Sequence, residues 1–77
     1  MTLNIISVEE VLFKGEVTQV TLPGADGEFT VLENHAAIIS TLVAGKLSYK
    51  SAGELKMLTI DGGIVDVDKN IVSVCLY

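Results

Sequence analysis

A chain of 77 residues has room for one small domain, which buries only about 60 % of the surface that its unfolded form exposes. Ten acids against five bases give a formal charge of −5, which repels phosphate backbones and excludes nucleic acid as an expected partner. Hydrophobic residues make up 49 % of the chain and mean hydropathy is +0.54, high enough in so short a chain that some apolar side chains are expected to face a partner.

No helix-period stripe is present. Short runs of Val, Ile, Thr and Leu, broken by Gly, Asp, Asn or Ser about every 8 to 12 residues, predict an all-β sandwich or barrel. Strands are expected near 2–7, 15–22, 28–32, 37–43, 45–50, 55–60, 63–67 and 71–76. The opening "MTLNIISVEE" lacks the basic start and continuous apolar middle of a secretory signal, so the chain is expected to be the mature protein. No apolar run approaches the roughly 20 residues that a spanning helix needs, so it is not expected to cross a bilayer.

The stretch "LPGADGEFTVLENHAAIIS" holds the only Pro and the only His of the chain. Pro23 and Gly24 followed by Asp26 and Gly27 form a tight, constrained loop, and such loops often carry function on a rigid scaffold. The loop lacks the Lys and spacing of a phosphate cradle, and Asp26 and Glu28 would repel an anion. His35 follows an extended run at a turn, where it is expected to hydrogen-bond backbone; no adjacent Ser, Cys or carboxylate supports catalysis.

The stretch "KLSYKSAGELKMLTI" is a hairpin signal, with Leu47 and Tyr49 alternating with polar residues before a Gly-containing turn. The "DGG" at Asp61–Gly63 reads as a place of unusual dihedrals or close chain approach, or else as a ligand-binding turn. A second hairpin, "IVDVDKNIVSV", puts Val65, Val67, Val72, Val74 and Leu76 on one face, the expected core. Ile64, Asp66, Ile71, Ser73, Cys75 and Tyr77 fall on the other. That mixture fits a contact surface and fits equally an ordinary mixed outer face. Asp66, Asp68 and Asn70 echo a calcium loop, but Ile71 stands where Gly is needed and Tyr77 where the bidentate Glu is needed. A turn with acceptor side chains is the simpler reading. Cys75 is the only cysteine, so no internal disulfide can form and a reducing compartment, the cytoplasm, is expected.

Taken together, "LNIISVEEVLFKGEV", "LPGADGEFTVLENHAAIIS" and "LTIDGGIVDVDKNIVSV" resemble, in order and spacing, the amino-terminal domain of the epsilon subunit of F-type rotary ATP synthase. The resemblance covers the whole chain. The chain departs from it in two places, the first a loop where Thr30 stands for a common Gly and Glu33 and Asn34 stand for a Pro-Gly before the His. The second is the end: the chain stops at Tyr77, where typical members continue into a helical hairpin that inhibits ATP hydrolysis and in some members binds ATP.

The resemblance implies a flattened β-sandwich or barrel of about eight to ten short, mostly antiparallel strands. It implies a non-catalytic subunit of the central stalk, clamped to gamma and resting on the c ring. On that basis Asp26, Gly27 and Glu28 are expected to face the c ring, and Ser7, His35, Ser40, Asp61, Asp66 and Ser73 to face gamma. No cofactor, metal or ATP site is expected, nor inhibition of the extended-helix kind. Membrane association is expected only through the complex, at the cytoplasmic face of the cell membrane. The alternatives are a small ligand- or metal-binding β domain using "DGG", "DVDKN" and His35, and an adaptor that binds peptides by strand addition.

Overall fold

A computed structural model describes all 77 residues, from Met1 to Tyr77. Seven strands form: β1 (Thr2–Ile6), β2 (Val11–Glu16), β3 (Gln19–Gly24), β4 (Gly27–Leu32), β5 (Ile38–Ser51), β6 (Glu54–Asp68) and β7 (Ile71–Leu76). They make one continuous sheet in the order β2-β1-β7-β6-β5-β3-β4. Every pair is antiparallel except β1 and β7, which run parallel with Leu3 beside Val72 and Ile5 beside Val74.

The sheet folds on itself through its two longest strands. β5 and β6 pair in one register throughout, Leu42 opposite Gly63 and Leu47 opposite Leu58. Their buried side chains nevertheless change parity partway, from Leu42 to Leu47 on β5 and from Ile60 to Val65 and Val67 on β6. Side chains of a regular strand alternate strictly, so the switch requires a backbone irregularity between those points. On β6 Gly62 supplies it with φ of 139°, a conformation that L side chains rarely adopt. Gly63 follows so close to β7 that a Cβ there would collide with the Cys75 carbonyl oxygen.

Because β7 pairs with the carboxyl half of β6 while β3 pairs chiefly with the carboxyl half of β5, the two halves of the β5–β6 ribbon belong to different layers. Layer one is β2-β1-β7 with the carboxyl half of β6 and the amino half of β5. Layer two is β4-β3 with the remaining halves. The shortest dimension of the molecule, 18 Å, accommodates two sheets about 10 Å apart with their outward side chains.

Fourteen apolar residues fill the space between the layers, and no polar or charged residue is buried with them. Leu3, Ile5, Val65, Val67, Val72 and Val74 come from layer one, and Val20, Leu22, Val31, Leu47 and Ile60 from layer two. Phe13 and Tyr49, their ring centroids 4.4 Å apart, close one side of the sandwich across the two layers. The second-hairpin core set is buried as alternation predicts, with Leu76 packed at its margin.

Three strand boundaries differ from the sequence expectation. The expected strand 15–22 straddles the end of β2 and most of β3, with the break at Val17 and Thr18, and residues 11–14, covered by no expected strand, form the first part of β2. Nothing in the residue types marks that break; the amides of Val17 and Thr18 turn away to donate to the carbonyls of Met1 and Lys50. Conversely, the expected pairs 37–43 with 45–50 and 55–60 with 63–67 are single bent strands, because the intervening Gly residues bend the chain without ending it. Seven strands thus supply nine strand segments to the two layers.

The β5–β6 hairpin turns on Ala52 and Gly53, both at positive φ (52° and 80°), a geometry suited to Asn-Gly. Alanine is strained there by its Cβ. Ala52→Asn is expected to stabilise the domain by about 0.5–1 kcal/mol and to raise Tm by about 3–6 °C, measured by circular dichroism.

Candidate functional site

The strand register assigns the sequence-selected residues to distinct parts of the sandwich. At one end lie the β3–β4 turn, the bend of β5 and β6, and the end of β7. Ala25 and Asp26 form the two-residue turn between Gly24 and Gly27, with Asp26, Gly27 and Glu28 exposed. The tip is stiff for two reasons. The Ala25 amide donates to the Thr41 carbonyl at 3.0 Å, tying the turn to β5. A Cβ at Gly24 would press on the Gly27 carbonyl oxygen at 2.7 Å and on the Phe29 ring, so Gly lets the strands close tightly.

Asp61 is exposed at the bend, at this same end. Ser7 follows β1 here as well, and its hydroxyl organises the β1–β2 turn by accepting from the Glu10 amide at 3.3 Å. Asp66 and Ser73 are direct cross-strand partners on the outer side of layer one. Ser40 belongs to the opposite, inward-facing set of layer one, half-buried at its margin. His35 lies in the β4–β5 connection at the far end, where its Nδ1 donates to the Ala36 carbonyl at 2.7 Å and its amide to the Leu32 carbonyl at 3.2 Å. The structure thus joins Asp66 to Ser73, gathers Ser7 and Asp61 at the end of the β3–β4 tip, and sets His35 at the other end.

The outer side of layer one is organised in rows across the strands. One row runs Lys14, Asn4, Ser73, Asp66, Ile39; a second runs Val11, Ile6, Cys75, Ile64, Thr41. Ile6, Val11, Ile39, Val43, Ile64 and Ile71 are all exposed on this side, Ile39 by 74 %. The outer side of layer two exposes only Leu32, Leu55 and Met57 among large hydrophobics. The apolar surplus of the composition is therefore concentrated on layer one, and a surface mixing isolated charges with exposed Ile and Val has the make-up of a protein interface.

The far end is held by the amino terminus. The Met1 ammonium donates to the Glu33 carboxylate at 2.7 Å and to the Val17 carbonyl at 3.2 Å. Glu33 is held below its ordinary pKa of 4.5, first by that hydrogen bond, then by the ammonium charge, then by the Asn70 side chain. A depressed carboxyl pKa stabilises the fold above the unfolded value and loses that contribution as pH falls through the folded one. Glu33→Gln is therefore expected to lower Tm at neutral pH, with the gap to the parent closing on acidification below 4.5. Beside this pair, Asn70 Oδ1 accepts from the Asn34 amide at 2.8 Å, and Lys69 and Asn70 turn the chain at φ of 49° and 65°. The "DVDKN" segment is thus a hairpin turn with an acceptor side chain, as its simpler reading has it.

No three His, Cys, Asp or Glu side chains come together to hold a metal ion. What the molecule offers is surface. The sequence reading does not place Asn4, Ile6, Val11 and Lys14 on the layer-one face, because it expects no strand over 11–14 and so no pairing of β1 with β2 there. The signal was present in "VLFKGE", where Phe13 and Gly15 alternate with Lys14 and Glu16.

Residues 1–76 match the family model for the beta-sandwich domain of the ATP synthase Delta/Epsilon chain. The chain is 38 % identical over 74 residues to the ATP synthase epsilon chain of Leptospira borgpetersenii, covering 96 % of this chain and 58 % of that one. It is 44 % identical over 64 residues to the ATP synthase epsilon chain of Caulobacter vibrioides, covering 83 % of this chain and 74 % of that one. A chain in the Euglena gracilis mitochondrial ATP synthase structure (OSCP/F1/c-ring) superposes with a TM-score of 0.90 at 26 % identity, over 96 % of this chain and 48 % of that one. A chain from the Tetrahymena thermophila mitochondrial ATP synthase shares the fold, with a TM-score of 0.85 at 15 % identity over 97 % of this chain and 61 % of that one. The chain spans little more than half the length of the Leptospira relative. It belongs to the Delta/Epsilon β-sandwich family of ATP synthase.

Proposed function

We propose that the chain is a non-catalytic rotor subunit of F-type ATP synthase that joins gamma to the c ring, so that ion flow and ATP synthesis in the catalytic head are mechanically coupled. The observation that carries this reading is the exposed apolar face of layer one, on a domain whose family is that of the ATP synthase Delta/Epsilon chain. A rotor link needs two separate attachment surfaces on a body stiff enough to pass torque. The layer-one face, with Asp66 and Ser73 at its centre, is the surface for gamma. Ser7 and Asp61 at the tip end of this face, His35 at the far end and Ser40, half-buried at the margin, are the remaining positions expected to meet gamma.

The β3–β4 tip is the surface for the c ring. Asp26 and Glu28 are exposed there on a turn pinned to β5, and Gly27 at φ of 125° sets its shape. Their carboxylates suit a basic residue in the polar loops of the ring, and neither has an ion-pair partner within the chain. The subunit reaches the cytoplasmic face of the cell membrane through the complex. It requires no cofactor, and all chemistry belongs to other subunits.

Adding the chain to a rotary complex depleted of its epsilon-type subunit is expected to restore ATP-driven ion pumping. Glu28→Lys is expected to bind gamma normally yet to weaken attachment to the c ring by about 10-fold, because reversing an interface charge converts an attraction to a repulsion. Absence of restoration by the parent chain contradicts the rotor assignment. Unchanged ring binding by Glu28→Lys contradicts the role of the tip.

A further inference from the structure

The layer-one face carries a built-in direction. Its polar row starts at Lys14 on β2, passes Asn4 on β1 and Ser73 on β7, and ends at Asp66 on β6. Adjacent strands are about 4.8 Å apart, so the two ends of the row are separated by three spacings, about 14 Å. Lys14 is the row's only cation, in a chain of net charge −5, and Met1–Glu33 is the sole ion pair of the molecule. Both ends of the row are thus unpaired charges of opposite sign.

Between them the face is recessed. A pit of about 320 Å³, enough for one large side chain, lies between Lys14, Ile6 and Val11 and is floored by Asn4. Asn4 Oδ1 has no hydrogen-bond partner and no contact with solvent. A buried acceptor left unpaired costs the isolated domain stability, and such atoms call for an explanation. At the Asp66 end a second pit of about 190 Å³ is bordered by Asp68 and Lys69.

We infer that this row acts as a two-pole charge ruler that fixes how its partner lies on the sandwich: the partner sets a carboxylate over Lys14 and a cation over Asp66, with a polar group seated in the pit against Asn4. The inference rests on the proposed gamma docking and specifies the chemistry of the gamma surface that meets this face. Charges so placed select one orientation out of those an apolar sheet face alone would accept, since the reversed partner would bring like charges together.

The test measures the dissociation constant of the chain for the gamma subunit of the same organism, at low and high salt, for the parent, Lys14→Met, Lys14→Glu and Asp66→Lys. Lys14 and Asp66 are exposed, and thermal melts establish that each variant folds. Lys14→Glu is expected to weaken binding by about 10-fold at low salt and Lys14→Met by about 3-fold, both differences shrinking at high salt. Parent binding that Lys14→Glu leaves unchanged or tightens overturns the ruler while the docking reading stands. Failure of the parent itself to bind gamma overturns the docking reading, and the ruler with it.

Discussion

Gly63→Ala is expected to unfold much of the domain, lowering Tm by about 12–24 °C. The added Cβ would lie against the Cys75 carbonyl oxygen and 3.1 Å from the Leu76 Cα, both backbone atoms of β7 that no rotamer change can move. Relief requires β6 and β7 to separate where Gly63 pairs with Leu76, at the margin of the core formed by Val65, Val67, Val72 and Val74. Forced displacement of packed backbone costs about 3 kcal/mol or more. A domain of this length has about 4–11 kcal/mol of stability in all, and each kcal/mol corresponds to about 4–8 °C in Tm. A thermal melt within about 3 °C of the parent would show that the β6–β7 contact gives way cheaply, against this account. The same pairing aligns Asp66 with Ser73 on the face proposed to dock gamma, so the substitution is expected to weaken that docking as well.

The elements most legible in the sequence were those with simple alternation and clear turn residues. β7 was expected at 71–76 and forms over Ile71–Leu76, and the inward and outward sets of its hairpin with β6 fall as parity places them. The "DGG" segment has the unusual dihedral and close approach that its glycines predict, but it lies inside one strand and not between two. Gly62 and Gly63 permit a bend inside β6 and a switch of its buried parity, which only the position of β7 reveals. The break at Val17 and Thr18 was invisible because partners far along the chain make it: Met1 and Lys50 capture the two amides.

The same physics limits what sequence shows of a docking surface. Asp66 and Ser73 were legible because they alternate within one hairpin. Lys14 and Asn4 join them through a parallel pairing of β1 with β7, between segments some 70 residues apart in sequence, and no local pattern predicts that. His35 and Ser40, by contrast, were selected by resemblance, and the fold holds them away from the centre of the face. Glu33 and Asn34, where the chain departs from the family pattern, have a structural use: Glu33 pairs with the Met1 ammonium and the Asn34 amide donates to Asn70.

The central claim is that the layer-one face binds gamma, and paired lysine substitution tests it most directly. Asp66 and Ser73 are direct cross-strand neighbours at the middle of the exposed apolar face, so Asp66→Lys with Ser73→Lys places two adjacent cations where the partner must lose water. Desolvating charges that gain no partner weakens binding by about 100-fold or more, while repulsion between directly opposed like charges costs the fold only about 1 kcal/mol or less. The measurement is co-elution of the 77-residue chain with purified gamma on a sizing column, beside this double variant, with melts to establish that both are folded. The account predicts that the parent elutes with gamma and the folded variant elutes alone. Co-elution of both, or of neither, would contradict it.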